Sequence, residues 1–490
     1  MSAGARPASA ARPAPPGLVD ALCAIVGPER CLSRPAELVA WECDGLTLHG
    51  SPPAAVVLPR DKHEVARIVR ACRRFGTPFV ARGAGTGLSG GAIALEGGVV
   101  VECAKLDRIL SVDVENRIAV VQPGVINAAL SAAVRPHGLF YAPDPSSQLA
   151  CTIGGNVAEN AGGPHTLKYG TTTNHVLALE LVLPDGELVK LGSATGFAPG
   201  PDLVGAVVGS EGTLGIVVEV TVRLVPLPEA TETLLALFPD VVSACRAVGA
   251  VITSGLVPAA MEIVDRRTIE AVEASVYAAG LPRDAGAVLL VELDGPAAAL
   301  PGQVERIRAL CAAEGARVQR ARDEAERERF WRARKGAFGA MGRVAPDLYV
   351  HDAVVPRAKL PEVLERVGAI CDRLGLPLAN VFHAGDGNLH PNISFDRRDP
   401  DELARVIAAG REILETCVAA GGVISGEHGI GIEKRDYMCL VFDESDLEAQ
   451  RRLRAAFDPD GVCNPGKLLP APRFCAEANP KARGYDRVPL

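Results

Sequence analysis

An α+β architecture of two domains follows from three features of this 490-residue sequence. Residues 55–101 run strand, helix, strand, glycine loop, strand. Pro226 and Pro228 punctuate the chain, and two successive β-α-β units begin near 231. The length allows two or three domains and a substantial core. With 48% apolar and 22% charged residues the composition is that of a folded globular protein. Fifty-one basic against 59 acidic residues give a net charge of −8, without long basic runs, so no nucleic acid is expected as a partner.

Ala54 to Leu58 is an apolar run, and Asp61 with Glu64 has capping-box spacing before the helical periodicity of Val65, Ile68, Val69 and Cys72. Thr77 to Ala81 is extended. Ile216, Val218, Val220, Val222 and Leu224 alternate with polar residues, the pattern of a half-buried strand. Past the prolines the order is strand 232–238, helix 241–254, strand 259–264, strand 287–293, helix 300–314 and strand 316–320. That order predicts a ferredoxin-like antiparallel sheet with helices on one face. A polar helix over 324–342, a strand near 349–355, a helix near 357–374 and a hairpin at 386 extend it. Residues 440–470 read as helical up to Asn464-Pro465-Gly466-Lys467.

The resulting boundaries are a disordered leader at 1–20, a first domain at 21–228, a second at 229–440 and a C-terminal segment at 441–490 that returns to the first domain. The leader lacks the apolar core of a secretory signal, and no apolar run reaches the ~18 residues of a membrane span. Thirteen cysteines are scattered with no C-x-x-C pair, which suits reduced thiols in a cytoplasmic protein and gives no internal iron–sulfur or zinc-ribbon motif.

Arg82-Gly83-Ala84-Gly85-Thr86-Gly87-Leu88-Ser89-Gly90-Gly91 follows an apolar strand. Its amides can form an anion-binding nest suited to a pyrophosphate, although no helix or downstream acid completes a nicotinamide fingerprint. Two more clusters of small and polar residues follow. Pro143-Asp144-Pro145-Ser146 precedes Thr152 to Gly163, which includes Gly154, Gly155, Asn156, Ala158, Asn160 and Gly162, and Gly209 to Ile216 contains Glu211 and Gly215. Three such loops in one domain point to one long ligand.

These motifs resemble the FAD-linked oxidases of the vanillyl-alcohol oxidase type, in the branch of the glycolate oxidase FAD subunit and D-lactate dehydrogenase. The resemblance runs from about residue 40 to 470. It implies a two-part FAD-binding domain with a ferredoxin-like substrate (cap) domain. FAD would lie with its pyrophosphate on 82–91, its flavin and ribityl region near 144–163, and further contacts from 209–216 and from Asn464 to Lys467. Because 82–92 contain no histidine, the FAD is expected to be non-covalent.

In the second domain, Asp386-Gly387 is a hairpin signal. With these two residues as the tip, His383 and His390 fall directly opposite one another on one face, close enough to share a metal. Ser425-Gly426-Glu427-His428 offers a carboxylate and a further imidazole, and spacing leaves open which of the two completes the ligand set. The resemblance implies His383, His390 and Glu427 as ligands of a divalent metal, with zinc the expected ion, and His428 as the catalytic base. The base would remove the hydroxyl proton as the Cα hydride passes to flavin N5.

Arg334 and Lys335 lie on the polar helix, where an arginine can grip a carboxylate through paired hydrogen bonds. The resemblance implies Arg334 as a substrate-binding residue, and Lys335 and Asn388 are placed in the same role. No lysine stands near Tyr349-Val350-His351-Asp352, where relatives specific for a dicarboxylate carry one. A small (R)-2-hydroxy acid, glycolate or D-lactate, is therefore the expected substrate. Electrons would leave to an iron–sulfur subunit, a quinone, a cytochrome or oxygen, and the resemblance places such multi-subunit complexes at the inner membrane. A homodimer is compatible with this reading. The alternatives are a same-fold FAD protein with non-redox or other alcohol chemistry, and a metal- or ligand-binding module without flavin.

Overall fold

A computed structural model describes residues 13–470, which fall into two compact units. The first comprises the chain through Gly162, then Thr171–Leu227, and the chain from Glu427 onward. The second comprises Gly163–Gly170 and Pro228–Gly426. The long crossing, between Leu227 and Pro228, falls at the Pro226/Pro228 punctuation. The return begins at Glu427, where the sequence reading placed it at 441, because the buried Glu211 carboxylate accepts hydrogen bonds from the Ile430 and Gly431 amides at 2.6 and 2.7 Å. The excursion of 163–170 into the second unit carries no sequence signal.

The first unit has two sheets. In one, strands Ala55–Val57 and Phe79–Arg82 both lie parallel to Val99–Glu102, each strand apolar and buried. The helix Lys62–Arg74 covers this sheet, starting where the Asp61 carboxylate accepts from the His63 and Glu64 amides. Leu18, Leu22 and Val26 of the helix Leu18–Val26 pack into the same core. The expected leader therefore does not extend to 20: an apolar helical face begins at Leu18. The other sheet is antiparallel, and in its strand Ile216–Arg223 every second residue is buried, as the alternation predicts.

In the second unit the strands run in the order Arg317–Arg320, Ala230–Phe238, Ala287–Gly295, Ala260–Asp265, Leu378–His383, all antiparallel. The first four reproduce the ferredoxin-like arrangement. Pairing with Leu378–His383 extends it, and this added strand delivers the histidine pair to the sheet.

The C-terminal helix spans only Glu444–Phe457, not 440–470. Asp458 ends it by turning its carboxylate back onto the Val462 and Cys463 amides, so 458–470 is irregular. Among the described residues eleven cysteines are free thiols, but Cys439 is disulfide-bonded, a departure from the all-thiol expectation. Among the described residues no helix is long and apolar enough to cross a membrane.

Candidate active site

In the first unit, four separate stretches converge on the glycine loop. The loop leaves the sheet at Arg82, whose buried guanidinium donates to the Cys43 carbonyl at 2.8 Å and faces the Trp41 ring. No helix follows it, in keeping with the absence of a nicotinamide fingerprint. A Cβ at Gly83 would stand 2.3 Å from Thr152 Oγ1, so only glycine allows the loop to meet the second cluster here. Thr152 in turn caps the short helix Ile153–Glu159, its Oγ1 accepting from the Gly155 amide at 3.2 Å. The second and third clusters meet through the Glu211 amide, which donates to the Ala158 carbonyl at 2.8 Å.

Asn464 closes this assembly. Its side-chain amide donates to the Gly91 and Glu211 carbonyls at 2.9 and 2.8 Å, and its backbone amide extends the pairing of Phe79. Asn127, which sequence reading missed, ties Pro143 to Asn156 with bonds of 2.9 Å to each. Thus Arg82–Gly90, Pro143, Thr152–Gly162, Glu211–Ile216 and Asn464 belong to one set of loops. Asp144 is half-buried beside Pro143, and Ser146 is exposed at the margin.

Charge is concentrated beneath these loops. Asp44, Glu159 and Glu211 are withdrawn from solvent. Burial raises all three, Asp44 to about 6 and Glu159 furthest, because Glu211 and Asp44 repel its charge. Lys467 is fully buried beside them. Its ammonium donates to the Ile93 carbonyl at 2.5 Å and to Asn464 Oδ1 at 2.9 Å, and burial lowers it to about 8. Glu159, Glu211 and Lys467 lie within the motifs read from the sequence, whereas Asp44 carries no such signal.

In the second unit the hairpin register differs from the expected one. His383 pairs with Asn388, not His390, because Ala384–Gly387 form a four-residue turn rather than a two-residue tip. Gly387 is left-handed at φ 87°, and a Cβ there would strike the Val355 carbonyl. His390 is still on the same face, two residues beyond Asn388. The rings of His383 and His390 lie 5.1 Å apart and nearly perpendicular.

Each imidazole has its Nδ1 at an acceptor. His383 Nδ1 is 2.8 and 3.0 Å from the two oxygens of Glu262, and His390 Nδ1 is 3.2 Å from the His351 carbonyl. These groups can only accept, so Nδ1 carries a proton in both rings, and in the neutral imidazole Nε2 is then the nitrogen left to bind a cation. Paired Nε2 donors with pinned Nδ1 atoms are the donor set a divalent ion takes up. Asn388 is buried between this turn and Gly426, and Asp352 accepts from Ser425 Oγ and the Gly426 amide at 2.6 and 3.0 Å. Glu427 and His428 follow directly in the chain. Arg334 is buried and its Nη2 donates to Glu262 at 2.5 Å, whereas Lys335 is half-buried with its ammonium over the Trp331 ring.

The glycolate oxidase subunit GlcD of Escherichia coli (strain K12) is 50% identical over 442 residues, covering 90% of this chain and 88% of that protein. The chain belongs to the FAD-linked oxidases. Residues 227–468 of this oxidase match the family described as FAD linked oxidases, C-terminal domain, and 53–192 match the FAD binding domain. GlcD of Bacillus subtilis (strain 168) is 40% identical over 92% of this chain and 96% of its own length. A D-lactate dehydrogenase of Anaerostipes hadrus is 32% identical over 87% and 91%. The fold is that of p-cresol methylhydroxylase, at a TM-score of 0.79 and 18% identity over 92% of this chain and 96% of that one. This oxidase is thus an FAD-linked oxidoreductase of the GlcD type, and the fold class expected from sequence is the one observed. The crowded cradle around Gly83, the convergent loops and the buried Asn464 fit the FAD that the family implies.

Proposed function

We propose that this oxidase converts a small (R)-2-hydroxy acid, glycolate or D-lactate, to the 2-oxo acid. The observation that carries the reading is the His383–His390 pair, its rings 5.1 Å apart and each with Nδ1 held at an acceptor. The names of the relatives, glycolate oxidase subunit and D-lactate dehydrogenase, support the substrate class.

In this reading FAD is held non-covalently by the loops 82–90, 143–162 and 211–216 with Asn464. His383, His390 and Glu427 hold a divalent ion, with zinc the expected one. When bound, FAD supplies the acceptor for the Cα hydride and the ion supplies a Lewis acid for the substrate hydroxyl. The His428 imidazole accepts the hydroxyl proton on a ring nitrogen. Arg334, Lys335 and Asn388 orient the substrate carboxylate; a guanidinium has five donors, so the bond of Arg334 to Glu262 leaves others for this role. A separate iron–sulfur subunit, quinone or cytochrome takes the electrons onward.

Anaerobic addition of glycolate and D-lactate to the purified flavoprotein tests this. Bleaching of the flavin absorbance by either acid, lost in His428→Ala, is the expected result. A wild-type flavin untouched by a panel of 2-hydroxy acids would sink the reading and favour a same-fold protein of other chemistry.

A further inference from the structure

Glu262 has no role in the mechanism above, yet it is fully buried in the strand Ala260–Asp265 at the register position directly opposite His383. A carboxylate at the centre of an apolar sheet is costly unless paired. Both of its oxygens lie within 3.0 Å of His383 Nδ1, and one also receives Arg334 Nη2 at 2.5 Å. Three elements of the second unit therefore end on one side chain: its own strand, the strand Leu378–His383, and the helix Glu324–Met341. Arg334 Nε is buried with no partner among the described residues, so the guanidinium keeps a donor that Glu262 does not use.

We propose that Glu262 is a positioning residue that sets the His383 ligand and the Arg334 anchor together. The inference rests on the functional reading given above and assigns the side chain that makes that site rigid. Accepting from Nδ1 fixes the His383 tautomer and ring plane and increases the basicity of Nε2. Accepting from Nη2 turns the remaining edge of Arg334 in a single direction. A glutamine replaces it poorly, because it brings no charge to Arg334 and sets an NH2 group in the place of one of the two oxygens beside His383 Nδ1. A simple counter-ion for Arg334 would need neither the register opposite His383 nor the second oxygen.

The test uses the full-length flavoprotein, stripped of metal and titrated with Zn2+ against a chromophoric chelator. Glu262→Gln is expected to weaken Zn2+ binding by about 10–100-fold with flavin content unchanged. At saturating Zn2+ it should raise the glycolate KM by about tenfold, with kcat changed much less. Because Glu262→Gln leaves a buried guanidinium without its anion and can fail to fold, Glu262→Gln/Arg334→Gln is measured beside it. The double variant should recover the melting temperature but not the Zn2+ affinity. Unchanged Zn2+ affinity in Glu262→Gln, or its restoration in the double variant, would overturn the proposal and leave the functional reading intact. An unchanged KM would overturn the Arg334 half. A wild type that takes up no Zn2+ would overturn the functional reading itself, and this inference with it.

Discussion

His383 and His390 stand edge to face, 5.1 Å between ring centroids, on one side of a hairpin whose turn is two residues longer than its Asp-Gly signal suggests. Their proximity survives the register change because side chains alternate with a period of two. A shift by an even number keeps both rings on the same face and turns an opposed pair into a diagonal one.

Replacing either histidine by alanine removes half of this pair. His390→Ala is expected to reduce bound zinc, measured by mass spectrometry of the purified protein, to a small fraction of the wild-type stoichiometry. Flavin absorbance should stay at the wild-type level, because no cofactor loop contains either residue. Loss of flavin in parallel with zinc would contradict the separation of the two sites.

For His428→Ala the expected loss in kcat is about 10²–10⁴-fold, the range for removal of a positioned general base. Zinc and FAD contents should hold. Rapid-mixing measurements of flavin reduction would check it, and a reduction rate within a few-fold of wild type would assign the base elsewhere.

Lys467 is the cation among Asp44, Glu159 and Glu211. Substituting methionine leaves these buried carboxylates without it and removes donors to the Ile93 carbonyl and Asn464. Leaving buried acceptors unsatisfied costs about 1–3 kcal/mol each. Lys467→Met should therefore lower the melting temperature and weaken FAD retention on gel filtration. A variant that melts and holds flavin as the wild type does would remove Lys467 from the cofactor assembly.

Glu292 gives a pH-dependent prediction. Burial would raise its pKa, but bonds from His165 and Arg327 outweigh that and hold it at about 2. The folded value lies below the unfolded one of about 4.3, so the stabilisation is full above pH ~4.3 and fades as pH falls towards 2. Its size is about 3 kcal/mol at neutral pH. Glu292→Gln should shift the urea midpoint strongly at pH 7 and progressively less near pH 3. A pH-independent shift would show that the charge on Glu292 is not what stabilises the second unit.

Much of this protein is local enough to be read from its sequence. The alternation in Ile216–Arg223, the Asp61 cap, the order of strands and helices after Pro228, and the residue types at 82–91 and 383–390 are set by neighbours a few positions away. Tertiary structure decided what depends on distant partners. Glu262, Glu292 and Asn127 lie in stretches whose pattern does not distinguish them from ordinary strand, helix or loop residues. They act only because the chain brings His383, Arg327 and Asn156 beside them. A periodic pattern reports which face is buried, whereas a buried charge is stable only against its particular partner, and that pairing exists only after folding.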